Sequence, residues 1–142
     1  MTHTYLVRAL RALLAISVVS MLASCSSLDT PDVADERAGG VPGGWDSSFG
    51  GEELTVIAAE DGSVQVITWG SSSCAPTATS IEIDSTELVV TFEGPTSDPC
   101  SADMAPTTHT FSADTVGAVV PDIARVIFLG SDVEYVVEVI SG

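Results

Sequence analysis

The sequence predicts an all-β domain: a small β-sandwich, with a small β-barrel as the alternative. Three observations carry this. From Glu52 onward, short runs rich in Val, Ile, Thr and aromatic residues recur at fairly even spacing. Turn-forming residues punctuate them. No stretch repeats apolar residues at the spacing of a helix face. Short, evenly spaced strands cannot bury their apolar faces singly, so they pair into a sheet that packs on another or on itself.

Taken in order, "LTVIAA" (54–59) and "SVQVITW" (63–69) flank "EDG". Gly62 can take the positive φ that a tight hairpin asks for. "TSIEID" (79–84) alternates Ile81 and Ile83 with acids, and "ELVVTFE" (87–93) puts Leu88, Val90 and Phe92 on one face. The short "DST" link predicts a second hairpin. "GPTSDPC" (94–100) reads as a loop, and "TTHTFS" (107–112) alternates again. "ARVIFLG" (124–130) and "VEYVVEVI" (133–140) are joined by "GSD", a third hairpin signal. The total is about seven strands. "CAPTAT" and "MAPTTH" each set Ala-Pro-Thr before a strand, where the missing proline donor does no harm.

The acid balance narrows the partners. The basic residues are Arg8, Arg11, Arg37 and Arg125, against 20 acids that all follow Cys25. Without residues 1–24 the side-chain balance is 2 − 20 = −18. Such a surface repels nucleic acid, whose recognition needs Lys and Arg on phosphates, and it repels anionic lipid headgroups. No nucleic-acid partner is expected.

The N-terminus carries an address. Arg8 and Arg11 precede the apolar run "ALLAISVVSMLA" (12–23), and small residues follow. This is the layout of a signal peptide, and the run falls short of the about 20 residues a membrane span needs. "LASC", Leu22 to Cys25, resembles the lipobox of bacterial lipoproteins. That resemblance implies cleavage after Ser24, a diacylglyceryl group on the Cys25 thiol, and a protein held on the outer face of the cell membrane. Several acyl chains anchor a protein durably where one does not. The domains expected are a leader at 1–24, lipidated Cys25 with a flexible acidic Gly/Pro tether at 25–51, and a β domain at 52–142.

With Cys25 lipidated, Cys74 and Cys100 remain, and two cysteines in an exported chain suggest one disulfide. The rivals are two free thiols or a metal site, for which two distant cysteines without a histidine pair are poor ligands. The tether has an r.m.s. reach of about 28 Å if wholly flexible. Trp45 and Phe49 stand out within it, either folding back onto the domain or serving a partner. "WGSSSCAPT" (69–77) and "CSADMAPTT" (100–108) together resemble small exported lipoproteins of actinobacteria with paired cysteines. That resemblance implies a stapled β domain and no catalytic residue.

The search for chemistry finds little. Beyond the leader, His109 is the one histidine, and Ser71, Ser72, Ser73 and Asp103 are its candidate partners in a hydrolase triad. No Gly-x-Ser-x-Gly elbow occurs, and His109, flanked by threonines, reads as a sheet-surface residue. Asp98 and Asp103 in "SDPCSAD" could form at most a loose calcium loop. No cofactor, metal or catalytic residue is expected. The expected role is a tethered, non-enzymatic binding or structural module of the cell envelope, facing an envelope protein, a glycan or a small ligand. The alternative is a small secreted hydrolase using His109 with a Ser or Asp partner. A solute-binding lipoprotein with two α/β lobes would need a longer, less β-rich chain.

Overall fold

The computed structural model describes residues 31–43, 53–95, 99–117 and 119–142. The leader, Cys25, Trp45, Phe49 and Asp98 lie outside the described residues.

The chain is all-β. Among the described residues eight strands run in order: β1 (Glu36–Gly39), β2 (Thr55–Ala58), β3 (Val64–Gly70), β4 (Thr77–Asp84), β5 (Glu87–Glu93), β6 (Ala105–Phe111), β7 (Ile123–Leu129) and β8 (Val133–Ser141). They form one sheet in the order β1-β6-β3-β2-β8-β7-β5-β4. The sheet curls into an incomplete barrel, so its two halves face each other across one core. Val56, Val64, Val66 and Phe111 from one half meet Leu88, Val90, Phe92 and Val126 from the other. The alternation in β5, with Leu88, Val90 and Phe92 fully buried and their neighbours half-buried, is the period-two pattern of one inward face. Burying a side chain such as Phe92 contributes about 2 to 3 kcal/mol.

The three hairpins stand where the turn residues place them. β2 and β3 pair antiparallel around Gly62, whose φ is 83°. Asp61 Oδ1 accepts from the Ser63 amide at 2.9 Å and from its hydroxyl at 2.6 Å, which fixes the turn. β4–β5 turn through Ser85 at φ 59°, and β7–β8 through Gly130 at 84° and Asp132 at 52°. The sheet is completed by two parallel pairs, β5–β7 and β2–β8.

Two elements depart from the sequence reading. A single helical turn, α1 (Ala113–Val116), follows β6. Its Ser112 cap accepts from the Thr115 amide, and Gly117 closes it at φ 74°. Four residues carry no helical period, so the sequence pattern was silent. The second departure is β1, which lies inside the segment read as tether. Glu36–Gly39 pair antiparallel with Thr107–Thr110 of β6. The glycines and acids of this stretch gave no alternation, because all four residues of β1 are exposed. What holds β1 is backbone pairing and a few anchored side chains.

Residues 31–40 act as a strap over the seam of the barrel. The Val33 amide donates to the Ala78 carbonyl of β4 at 2.9 Å. The chain then turns, and the Asp35 amide donates to Thr110 of β6 at 2.9 Å. The Asp35 carboxylate accepts from the Ser112 amide at 2.7 Å and the Thr115 hydroxyl at 2.8 Å, so the strap also caps α1. The Ser112 amide is the largest influence holding the Asp35 carboxyl below its ordinary range. Arg37 reaches the Pro76 carbonyl at 3.5 Å and Asp32 at 3.4 Å. The strap thus joins β4, at one edge of the sheet, to β6, whose outer edge β1 covers; open edges of this kind invite other chains.

Candidate functional site

Strand register sorts the loops between two ends. Ala105 pairs with Gly70, Thr77 with Glu93, and Glu93 with Leu129. The C-terminal ends of β3, β5 and β7 therefore meet the N-terminal ends of β4, β6 and β8. We call this end the mouth. The other end carries α1, whose Val116 is buried, and the β2–β3 and β4–β5 turns.

A cleft of about 1090 Å³ opens at the mouth. Its aromatic lining comes from Trp69, Phe128 and Tyr135, on β3, β7 and β8. Phe128 stacks on the core ring of Phe92 with centroids 5.4 Å apart, and Tyr135 meets Phe128 edge-on at 6.0 Å. The cleft wall is thus continuous with the core, which fixes the rings from behind. Among the described residues, Glu53 and Glu93 are the charged ones that line the cleft, and no Lys, Arg or His does. Exposed large apolar side chains gather at this end as well: Met104, Leu129, Val133 and Tyr135 are 58%, 50%, 38% and 45% exposed. Trp69 opens the first cysteine segment; the contributions of Phe128 and Tyr135 were not legible, because non-local strand pairing brings them there.

The two cysteine segments form one wall. Cys74 and Cys100 are joined in a disulfide with Cα atoms 5.5 Å apart, an ordinary span. It staples the loop after β3 to the loop before β6. Around it lies a hydroxyl cluster. The Ser71 and Ser101 oxygens are 2.8 Å apart, and the Ser101 amide donates to Ser73 Oγ at 2.8 Å. The Ser101 hydroxyl donates to Asp103, which also accepts from the Ser72 amide at 3.1 Å. These bonds, led by that of Ser101, hold the Asp103 carboxyl down at about 2. Asp103 is thereby an ionised acceptor that knits two loops.

His109 is not on the sheet surface, which corrects the sequence reading. It is fully buried. The curl of the sheet brings β5 over the inner face of β6, and the Phe92 ring lies 4.7 Å from the imidazole. His109 Nε2 is 3.2 Å from the Thr68 hydroxyl, and Nδ1 is buried without a hydrogen-bond partner among the described residues. Burial pushes the imidazole down to about 4, so it is neutral at pH 7. The structure brings Ser71, Ser72, Ser73 and Asp103 together but does not bring His109 to them. Its hydrogen bond goes to Thr68, and the serines bond Ser101 and Asp103.

Among the described residues no group of three His, Cys, Asp or Glu side chains could hold a metal ion. Among them, no helix is long and apolar enough to cross a membrane. Comparison with family models, curated proteins and solved structures finds no match to this chain.

Proposed function

We propose that this protein is a lipid-anchored module on the outer face of the cell membrane, non-enzymatic, with the mouth cleft as its binding surface. The observation that carries the reading is the cleft itself. It is concave, lined by three aromatic rings braced on the core, and edged by a disulfide that holds its wall in place. Preformed apolar concavities with a few polar groups are the usual form of a binding site. The signal-peptide layout and the "LASC" motif at Leu22–Cys25 support the location. The pairing of Cys74 with Cys100 suits an oxidising exterior. The ligand is an envelope protein, a glycan or a small molecule, and the lining favours one without net negative charge.

The test is surface capture in the native host. Tagged protein and its Cys25→Ala variant are treated on whole cells with a membrane-impermeant, carboxylate-reactive cross-linker, since the chain contains no lysine. A defined partner seen only with Cys25 intact, and lost in Tyr135→Glu, supports the reading. Capture insensitive to both substitutions overturns it. The mass of the mature protein checks the anchor: a chain starting at Cys25 without acyl mass ends the lipoprotein reading.

A further inference from the structure

We infer that the mouth end faces the membrane, and that the partner of its exposed apolar side chains is the lipid leaflet carrying the Cys25 anchor. This rests on the lipid-anchor reading alone and not on a separate ligand in the cleft, because a long tether leaves orientation open; the leaflet and such a ligand compete for the mouth, so a surface partner lost in Tyr135→Glu would overturn the inference.

The strap supplies the first observation. If all of residues 26–51 were tether, the domain could tumble at a distance of about 28 Å. The domain instead begins at the strap: Asp32 pairs with Arg37, and Val33 bonds to Ala78. From Cys25 to Asp32 there are 32 − 25 = 7 residue steps. Seven steps span at most about 25 Å when fully stretched.

The second observation is where the strap enters. Arg37, which holds Asp32, also reaches the Pro76 carbonyl, and Pro76 lines the cleft. Val33 bonds Ala78, near the first residue of β4, whose start lies at the mouth. The chain then runs toward α1, turns at Asp35 beside Ser112, and returns along β6. The anchor side of the strap therefore enters from the mouth. The seven-residue strands β5 and β7 are about 23 Å long. Turning the α1 end to the membrane would take nearly the whole tether, stretched along the barrel wall.

The third observation is independent of the tether. Of the seven large apolar side chains exposed among the described residues, Met104, Leu129, Val133 and Tyr135 lie at this end, with half-buried Trp69 among them; Val136 lies midway along β8, and Val119 and Ile140 lie toward the α1 end. Tyr and Trp with aliphatic neighbours suit the boundary between headgroups and acyl chains. Glu53 and Glu93 set the sign of the lipid: zwitterionic headgroups are admitted and anionic ones repelled.

The experiment imposes the anchor chemically, so that it does not depend on how the cell processes the chain. The chain from Cys25 to Gly142, carrying Trp45→Phe, leaves Trp69 as its one tryptophan. Its Cys25 thiol is added to a maleimide phospholipid, Cys74 and Cys100 being held in their disulfide. Vesicles of phosphatidylcholine, with or without bromine on the acyl chains, receive the conjugate. We expect Trp69 to lose about half its emission or more on the brominated vesicles, where an indole at the interface meets the quencher. Inserting about twenty Gly/Ser residues between Ser27 and Leu28 restores most of it, because effective concentration falls with linker length. Replacing half the lipid with phosphatidylglycerol at low salt weakens the quenching. Emission unchanged by bromine, or equal quenching with the long tether, overturns the inference. The mass of protein extracted from native membranes tests lipidation separately.

Discussion

Lowering the pH should remove stability through one buried side chain, and His109→Leu should abolish that part of the loss. In the fold the imidazole titrates at about 4, pushed down by burial. In the unfolded chain it titrates at its ordinary value, near 6.5. The sign follows from which state binds the proton. Above pH 6.5 both states hold neutral imidazole, and His109 adds no pH dependence. Between 6.5 and 4 only the unfolded chain takes up the proton, so stability falls as pH falls. Below 4 both are protonated and the loss levels off. At one pH unit to about 1.4 kcal/mol, the 2.5-unit interval costs about 3 kcal/mol by pH 4. For a small domain of about 5 to 10 kcal/mol that is a large share. The assay is urea unfolding followed by circular dichroism at several pH values, for the wild type and His109→Leu. The carboxylates are the same in both proteins, so their contribution cancels and the difference between the two curves isolates His109. We expect that difference to grow by about 3 kcal/mol in the variant's favour between pH 7 and pH 4. At pH 7 the two should lie within about 2 kcal/mol, the variant losing the Thr68 bond but relieving the unpartnered Nδ1. Parallel curves across the whole range would refute the buried, neutral imidazole.

Three further outcomes are expected. Replacing Cys74 and Cys100 together by alanine should lower the unfolding free energy by roughly 3.5 kcal/mol, the loop-closure value for a separation of 26 residues, read from the urea midpoint. Phe92→Ala empties a fully buried site between His109 and Phe128 and should cost about 3 to 5 kcal/mol by the same measurement. Asp35→Ala removes the acceptor shared by Ser112 and Thr115, and should speed hydrogen exchange at the Val33 and Ser112 amides while the amides of β5 stay protected.

The local signals were legible and the distant ones were not. The hairpins were readable because each is decided within a few residues, by Gly62, by the short "DST" link and by "GSD". The seven strands from Thr55 onward follow from alternation that a one-sided core imposes. β1 escaped because all its residues are exposed and its pairing partner, β6, lies far along the chain. His109 was misplaced for a related reason. Alternation along β6 puts it on a face with Phe111, but only the curl of the sheet decides that this face is covered by Phe92. The same holds for the cleft. Trp69, Phe128 and Tyr135 stand on three strands that the parallel β2–β8 pair brings round to one end.

The order of strands in the sheet also governs the order in which the chain can fold. Only the three hairpins pair neighbours in sequence; β1–β6, β3–β6, β5–β7 and β2–β8 join segments made at very different times. A chain leaving a ribosome or a secretion channel N-terminus first presents β1 long before β6 exists to receive it. β2 waits until its partner on β8, Val139 to Ser141, is in place. The sheet therefore closes last at its most separated pieces, a topology whose loop-closure entropy makes assembly slow. Truncation of even the final strand should leave both β2 and β7 with an open edge, and a protein that associates rather than one that is merely shorter.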